Sequence, residues 1–231
     1  MNNSLNKILV IGAGYNGKST LCDYILGYDE KKCYYNNCDE RRSYCFTANT
    51  ANPNSKNRDI FMIEASNIDH TDDKYIDHEI DRIRKELKDL HCNKIKTIII
   101  VLHPFQESRI SHVSLALIKI YFKLFANPEF WFHVGIVFSH SYEIFPQEEL
   151  EKIKNEKKNK LIPQFIDYAE KISNEINKEL PKEKKIIVPQ VFQTFFTDCG
   201  EVVPPYTHER TDKEIDRLLT WSRSLRTMEL A

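Results

Sequence analysis

Residues 11–20 of the chain read Ile11-Gly12-Ala13-Gly14-Tyr15-Asn16-Gly17-Lys18-Ser19-Thr20. This stretch matches G-x-x-x-x-G-K-[ST], the pattern of a phosphate-binding loop, at every defined position. Gly12, Gly14 and Gly17 are half of the 6 glycines in 231 residues. Positions without a Cβ let successive backbone N–H groups turn inward around a phosphate. The stretch therefore predicts a nucleotide-binding loop built from the backbone of residues 12–20.

Two side chains of this loop carry the chemistry. Lys18 is expected to reach the β- and γ-phosphates, and the Ser19 hydroxyl is expected to ligate Mg²⁺. The flanking residues fit this reading, because 7–11 form a short apolar run and 19–26 a helical pattern that ends at Gly27. The phosphates would then lie at a helix N-terminus, where the helix dipole favours anions.

The composition is that of an ordinary globular chain. It is 41% hydrophobic, and its 33 basic and 34 acidic residues give a net charge of −1. Electrostatics therefore offers no support for nucleic-acid binding. No stretch approaches the ~18 apolar residues of a membrane span, and the first residues do not resemble a signal peptide. We expect a cytoplasmic protein, and association with a membrane surface through partners stays open.

Strand and helix patterns alternate along the rest of the chain. Apolar runs predict strands at Arg58–Ile63, Lys96–Leu102, Phe130–Phe138 and Lys185–Phe196, and apolar spacings of three and four predict helices at Asp73–His91, Ser108–Ala126, from Pro163 onward and Asp212–Leu225. Such an order indicates the three-layer α/β fold of P-loop NTPases, with a mainly parallel central sheet. The phosphate-binding loop would place the ligand at the carboxyl edge of that sheet.

The pattern indicates one domain over residues 1–231. Its core is expected at 6–200, and a C-terminal helix at 211–226. Residues 148–160 are mostly charged, which favours a solvated helix or a mobile insertion. Pro163 is expected to begin a new helix in its first turn.

The loop and the residues after it resemble a known family. The segment 11–21, which runs on to Tyr24-Ile25-Leu26-Gly27, is similar to the start of the GTPases of the avrRpt2-induced-gene and GIMAP family. That family belongs with the septins and the chloroplast Toc import receptors. The resemblance covers about residues 6–200, strongly at the loop and loosely afterward. It implies a G domain that binds GTP or GDP with Mg²⁺.

The resemblance also implies two elements that sense the γ-phosphate. Thr47, in Cys45-Phe46-Thr47-Ala48, is the candidate for the switch I threonine that ligates Mg²⁺, with Thr50 as a rival. The family's Asp-Thr-Pro-Gly is replaced here by residues 64–67, which read Glu-Ala-Ser-Asn. Glu64 keeps a carboxylate at the Mg²⁺ position but is one methylene longer, and Asn67 replaces the glycine. This departure predicts weak γ-phosphate sensing and slow hydrolysis.

Base recognition is less well defined in this sequence. No N-K-x-D occurs, but Ser139-His140 follows an apolar strand and is similar to the shortened element of the Toc and GIMAP relatives. The resemblance implies that His140 stacks on the purine and that Glu143 accepts hydrogen bonds from it. Residues 197–200 occupy the position of the family's last base-flanking element. The residues alone do not separate guanine from adenine, so guanine rests on the resemblance.

Association between copies is a further expectation. Gln106 and Arg109 lie in a segment that faces a dimer partner in the resembled family. Arg109 is either an arginine finger acting in trans or a solvated residue at a helix start. The helix Ser108–Ala126 is apolar on most sides, so either the helix from Pro163 or a second protomer is expected to cover it. The resemblance favours a nucleotide-dependent homodimer.

Three functions remain open on the sequence. The first is a slow, dimerising GTPase switch in which Lys18, Thr47 and Glu64 act on GTP. The second is a nucleotide-binding scaffold without significant hydrolysis, which Glu64 and Asn67 favour. The third is a P-loop ATPase or small-molecule kinase. The nucleotide retained by the purified protein, followed by its single-turnover hydrolysis, discriminates among them.

Overall fold

The structure is a computed structural model of the chain, and it describes residues 5–28, 41–42, 46–51, 55–65, 73–103, 110–125, 127–139, 147–199 and 208–230. Its strands are β1 (Asn6–Ile11), β2 (Arg41–Arg42), β3 (Phe46–Thr50), β4 (Ile60–Ala65), β5 (Lys94–Ile95), β6 (Thr97–Leu102), β7 (Val134–Phe138), β8 (Gln193–Phe196) and β9 (Met228–Glu229). Its helices are α1 (Lys18–Leu26), α2 (Asp73–Asp89), α3 (His112–Phe125), α4 (Gln147–Glu156), α5 (Ile162–Asn177) and α6 (Glu209–Ser224).

Seven strands form one sheet in the order β2-β3-β4-β1-β6-β7-β8. The five neighbouring strands β4, β1, β6, β7 and β8 are parallel to one another. Beside β4, the strands β3 and β2 pair antiparallel. All six residues of β6 are buried, as expected for a central parallel strand covered by helices on both faces. The predicted three-layer α/β fold with a mainly parallel sheet is confirmed.

Two apolar clusters lie on opposite faces of the sheet. The larger one joins α2, α3 and α5 to the sheet, and the smaller one joins α1 and α6. Gly135 in β7 makes room for the smaller cluster, because a Cβ there would lie 2.8 Å from Cζ3 of Trp221 in α6. A side chain at 135 would therefore push α6 away from the sheet.

The apolar surface of α3 that faces away from the sheet is buried by other parts of the same chain. Tyr121, Phe122 and Leu124 are at most 1% exposed. The Phe122 ring stacks on Trp131 with 5.3 Å between centroids, and Trp131 contacts Phe165 of α5 edge-on. Of the two alternatives for covering this helix, the helix that contains Pro163 is the one observed. The burial of α3 therefore needs no second protomer.

Residues 147–177 form a continuous helical segment. A π-helical turn, Lys157–Leu161, joins α4 to α5, and Pro163 lies in the first turn of α5, as predicted. Proline lacks an N–H and crowds the carbonyl four residues earlier, so a wider turn before it relieves the clash. Within the charged segment 148–160, Leu150 is 1% exposed, so α4 packs against the protein.

Other boundaries differ from the predicted ones. The run Phe130–Phe138 begins with a 3-10 turn, Phe130–His133, and only its second half is strand. The strand predicted at Lys185–Phe196 shortens to β8, because the Ile187 N–H donates to the Pro128 carbonyl instead of joining the sheet ladder. The short strands β2, β5 and β9 were not predicted, since two-residue strands leave almost no periodic signal.

A buried polar network ties the end of α6 to the amino edge of the sheet. Asn6 Nδ2 donates to Ser222 Oγ at 3.0 Å, and Ser222 Oγ lies 2.6 Å from Thr97 Oγ1. All three side chains are at most 3% exposed. Nearby, Arg223 donates two hydrogen bonds of 2.8 Å to the Asp59 carboxylate. None of the helices in the described ranges is long and apolar enough to cross a membrane.

Candidate nucleotide-binding site

The loop between β1 and α1 contains two glycines whose backbone conformation favours glycine. Gly12 has φ +151°, and a Cβ there would lie 2.5 Å from the Val101 carbonyl oxygen of β6. Gly17 has φ +78° and caps α1, which begins at Lys18. The loop therefore lies against the carboxyl end of the central strand, with its last residues opening a helix. An anion in such a loop faces the positive end of the α1 dipole.

Two polar side chains fix the loop to the sheet. Asn16 is 2% exposed, and its Nδ2 donates to the Val101 carbonyl at 3.1 Å. Ser139, directly after β7, is 6% exposed, and its Oγ donates to the Asn16 carbonyl at 2.8 Å. Both residues were predicted to lie in the nucleotide site. The Asn16 amide and the Ser139 hydroxyl hold the loop in place, and the motif did not indicate this role.

Lys18 is held over the loop by the loop's own backbone. Its Nζ donates to the carbonyl oxygens of Gly12 and Ala13, each at 3.1 Å. The side chain is 7% exposed. Burial lowers the pKa of Lys18, and the nearby Glu64 carboxylate opposes that change. A partly desolvated ammonium beside backbone amides is suited to a phosphate oxygen, which would compensate its charge far better than carbonyls do.

Ser19 and Glu64 meet beside Lys18. Glu64 lies near the carboxyl end of β4, and its Oε1 accepts a hydrogen bond from Ser19 Oγ at 2.7 Å. A hydroxyl and a carboxylate oxygen fit Mg²⁺, which takes few protein ligands and completes its shell with phosphate oxygens and waters. Within the described ranges no group of three or more His, Cys, Asp or Glu could hold a metal. The hydroxyl and carboxylate oxygens of Ser19 and Glu64 fit Mg²⁺ that is bound together with a phosphate.

The two threonine candidates both lie on β3. In the antiparallel pairing of β3 with β4, Thr47 is opposite Glu64 and Thr50 is opposite Phe61. The Thr50 carbonyl accepts a hydrogen bond from the Tyr28 hydroxyl at 2.8 Å. The register therefore brings the backbone of Thr47 beside Glu64 and leaves Thr50 farther along the strand.

Several predicted residues lie outside the described part of the chain. Asn67, Gln106, Arg109, His140 and Glu143 are among them. The structure therefore brings together Gly12, Gly17, Lys18, Ser19 and Glu64 at one edge of the sheet, with residues 13–16 and Thr20 in the same loop and helix start.

The end of β8 adds an ordered segment at the same edge. The Thr197 N–H donates to the Phe138 carbonyl at 2.9 Å, which sets it beside the end of β7. The Asp198 N–H donates to Thr211 Oγ1 at 2.9 Å, and Thr211 Oγ1 donates back to the Asp198 carbonyl. Asp198 is 5% exposed. Asp198 belongs to residues 197–200, which the resemblance placed at the last base-flanking element, but its buried carboxylate was not singled out as a site residue.

Solved structures share this fold. Toc33 from Arabidopsis thaliana in complex with GDP and Mg²⁺ matches with a TM-score of 0.56 at 13% identity, over 99% of this chain and 88% of that one. A dimerisation-deficient mutant of Toc33 from Arabidopsis thaliana matches with a TM-score of 0.57 at 11% identity, over 98% of this chain and 88% of that one. A third structure comes from work on the chloroplast translocon components atToc33 and psToc159, for whose GTPase activity dimerisation is important. It matches with a TM-score of 0.59 at 11% identity, over 96% of this chain and 85% of that one.

No protein-family model matches the chain, and no curated protein matches it either. Identities of 11–13% establish a shared fold and no more. The similarity spans 96–99% of this chain. The chain has the P-loop fold of the Toc33 structures.

Proposed function

We propose that the protein is a Mg²⁺-dependent guanine-nucleotide-binding protein that hydrolyses GTP slowly. One observation carries the proposal. A glycine-dependent loop at the start of α1 holds the Lys18 ammonium and the Ser19–Glu64 oxygen pair together at the carboxyl edge of the sheet. Loop amides, a lysine and a magnesium-suited oxygen pair are what a nucleotide di- or triphosphate requires.

The base is assigned by resemblance. The loop and helix sequence is similar to the avrRpt2-induced-gene and GIMAP GTPases, and Toc33, which shares the fold, was crystallised with GDP and Mg²⁺. We therefore favour guanine over adenine. In this proposal His140 stacks on the purine and Glu143 accepts hydrogen bonds from the base.

The residues of the site divide the work of phosphoryl transfer. Backbone N–H groups of residues 12–20 and Lys18 hold the β- and γ-phosphates, and Ser19, Glu64 and Thr47 would hold Mg²⁺. The ion, when bound, neutralises charge that develops on the phosphate oxygens. Glu64 in place of a shorter aspartate and Asn67 in place of a glycine both reduce the protein's response to the γ-phosphate. Slow turnover follows from this arrangement.

Nucleotide-dependent pairing of two copies is part of the proposal. It rests on the resemblance, and on a report that dimerisation is important for the GTPase activity of atToc33 and psToc159. Because α3 is already covered by α5, the contact would lie at the nucleotide edge, where Arg109 is a candidate to act in trans. A cytoplasmic protein that reaches membrane surfaces only through partners is consistent with this function.

The first test identifies the ligand. Nucleotide released from the purified protein is separated by chromatography, and GDP, GTP, ADP and ATP are then titrated calorimetrically with and without Mg²⁺. We expect guanine nucleotides to bind at least tenfold more tightly than adenine nucleotides, and GTP to need Mg²⁺. Lys18→Ala is the control and should not bind. Binding of neither base by the wild-type protein would refute the proposal.

The second test measures chemistry and association. Single-turnover hydrolysis of GTP distinguishes a slow GTPase from a scaffold, in which no phosphate is released over many hours. Preference for ATP with transfer to an added small molecule would favour the kinase. Light scattering at micromolar protein should give one mass with GDP and twice that mass with a non-hydrolysable GTP analogue. Equal masses would contradict the nucleotide-dependent dimer.

A further inference from the structure

Two non-glycine residues in the described ranges have left-handed backbone. Tyr15 has φ +63° and His91 has φ +57°. In this region the Cβ of an L-residue crowds the following carbonyl, so the conformation costs free energy. Each residue therefore needs a feature of the molecule that holds it there.

The conformation of His91 is explained by the end of α2. The His91 N–H donates to the Lys88 carbonyl at 2.9 Å, and the Cys92 N–H donates to the Leu87 carbonyl at 2.7 Å. This pair of bonds is the usual way in which a residue in left-handed conformation ends a helix. His91 is thus strained for a structural reason.

Tyr15 lies in a different setting. It is at the tip of the phosphate-binding loop, and it is followed by Asn16, which is tied to Val101 by its side chain and to Ser139 by its carbonyl. With Gly17 also fixed at φ +78°, the loop cannot relax to relieve position 15. The Tyr15 side chain is 100% exposed, so packing inside the protein does not offset the strain.

The side chain of Tyr15 offers one apolar ring and one O–H donor, both exposed at the tip of the phosphate-binding loop. It is two residues from Gly17 and three from Lys18, in the part of the loop whose N–H groups face the phosphates. An O–H donor in this position suits an anionic oxygen, and an aromatic ring above such a contact keeps bulk water away from it.

We propose that Tyr15 is a ligand contact, whose hydroxyl donates a hydrogen bond to a terminal phosphate oxygen of the bound nucleotide and whose ring shields that contact. The role rests on the proposed function, since it requires a phosphate in the loop. Strain in the free protein is then offset in the complex. Ligand-free stability and ligand affinity should accordingly change in opposite directions when Tyr15 is replaced by asparagine, which tolerates left-handed backbone.

The test uses Tyr15→Asn, Tyr15→Phe and a matched control, His91→Asn. Asparagine tolerates left-handed backbone, so both asparagine variants should raise the Tm of the ligand-free protein by about 2 °C. Tyr15→Asn should weaken binding of GTP and of inorganic tripolyphosphate by about tenfold, the loss expected for a hydrogen bond to a charged group. Tyr15→Phe should weaken both to a similar extent at unchanged Tm, and His91→Asn should leave both affinities unchanged.

Tripolyphosphate is included because it lacks base and ribose. If the Tyr15 variants bound GTP more weakly than wild type but bound tripolyphosphate equally well, the proposed phosphate contact would be wrong. Full affinity in Tyr15→Asn would show that Tyr15 is only a strained surface residue. If the affinity of the variants fell only at protein concentrations where dimers form, Tyr15 would contact a second copy of the chain, and the proposal would be wrong. If wild-type protein bound neither probe, the proposed function itself would fail.

Discussion

The two edges of the central sheet use buried polar groups in opposite ways. At the amino edge, Asn6, Thr97 and Ser222 bond to one another and are almost fully buried. At the carboxyl edge, Lys18 bonds to loop carbonyls, and Ser19 bonds to Glu64, which is not fully buried. The first set is closed by side chains on three different elements. The second set consists of groups that have stronger partners available among phosphates and cations.

Polar side chains at the amino edge of the sheet therefore contribute to the stability of the fold, whereas those at the carboxyl edge contribute to ligand binding. Breaking the closed network leaves buried groups unsatisfied, which costs free energy of folding. Removing a group at the carboxyl edge removes an interaction with the ligand, and Ser19 and Glu64 are exposed enough for water to replace a lost partner in the ligand-free protein.

The largest effect is expected for Lys18→Met compared with Lys7→Met. Lys7 also donates its Nζ to a carbonyl, that of His91, at 2.6 Å, but at the amino edge. Lys18→Met should weaken GTP binding by at least about 100-fold, because a buried charge facing the phosphates is lost. Its Tm should hardly change, since burial already disfavours the charged form of Lys18, as its lowered pKa indicates. Lys7→Met should leave the affinity unchanged.

The second prediction concerns the closed network. Ser222→Ala leaves the Asn6 amide and the Thr97 hydroxyl without their shared partner, so the free energy of unfolding should fall by about 2 kcal/mol. Urea denaturation measures the loss, and calorimetry should show unchanged nucleotide affinity. Ser224→Ala, in the exposed last turn of the same helix, is the control and should stay within about 0.5 kcal/mol of wild type. Weakened binding in Ser222→Ala would contradict the separation of the two edges.

The third prediction tests the magnesium side of the site. Glu64→Asp shortens the reach of the carboxylate, and we expect single-turnover GTP hydrolysis to rise on the order of threefold, with affinity less affected. Glu64→Gln removes the charge and should instead raise the Mg²⁺ concentration needed for half-maximal GTP binding. An unchanged or slower rate in Glu64→Asp would count against the account of slow turnover.

The smallest effect is electrostatic and lies at the amino edge. Hydrogen bonds from Arg223 lower the pKa of Asp59. A lowered pKa in the folded state means that the pair stabilises the fold at neutral pH and that this contribution is lost as the pH falls through the folded pKa. Arg223→Met should cost about 0.5 kcal/mol at pH 7, because both groups are partly exposed, and progressively less as the pH falls below the ordinary pKa of an aspartate and through the lowered pKa of Asp59. Arg226→Met should show no such dependence on pH in urea titrations.

Most of the fold could be predicted from the sequence, because the central strands and helices have strong patterns. Residues 97–102 are all apolar or β-branched and fully buried, and Ile80, Ile83 and Leu87 recur at helical spacing on α2. The antiparallel β3 was not predicted. Its five residues, Phe-Thr-Ala-Asn-Thr, alternate over only four positions and include a single large apolar side chain, and pairing with β4 makes them a strand. Tertiary pairing decides such segments.

The site was predictable only where the motif specifies chemistry. The motif named the loop, Lys18 and Ser19, and the resemblance added Glu64. It did not indicate that Asn16 would donate to a carbonyl 85 residues away or that Ser139 would donate to one 123 residues away. Such bonds depend on which strands become neighbours. The left-handed backbone of Tyr15 was equally hidden, since the motif leaves that position undefined.

The placement of the chain's 2 tryptophans gives each layer of the molecule its own optical signal. Trp131 is fully buried in the larger cluster, and its indole N–H donates to Ser173 Oγ at 2.8 Å. Trp221 lies on the opposite face, against Gly135 and Phe195. Replacing either one by phenylalanine leaves a single emitter whose fluorescence follows one face of the sheet during unfolding. Coincident transitions in the two proteins would mean that both layers melt as one cooperative unit.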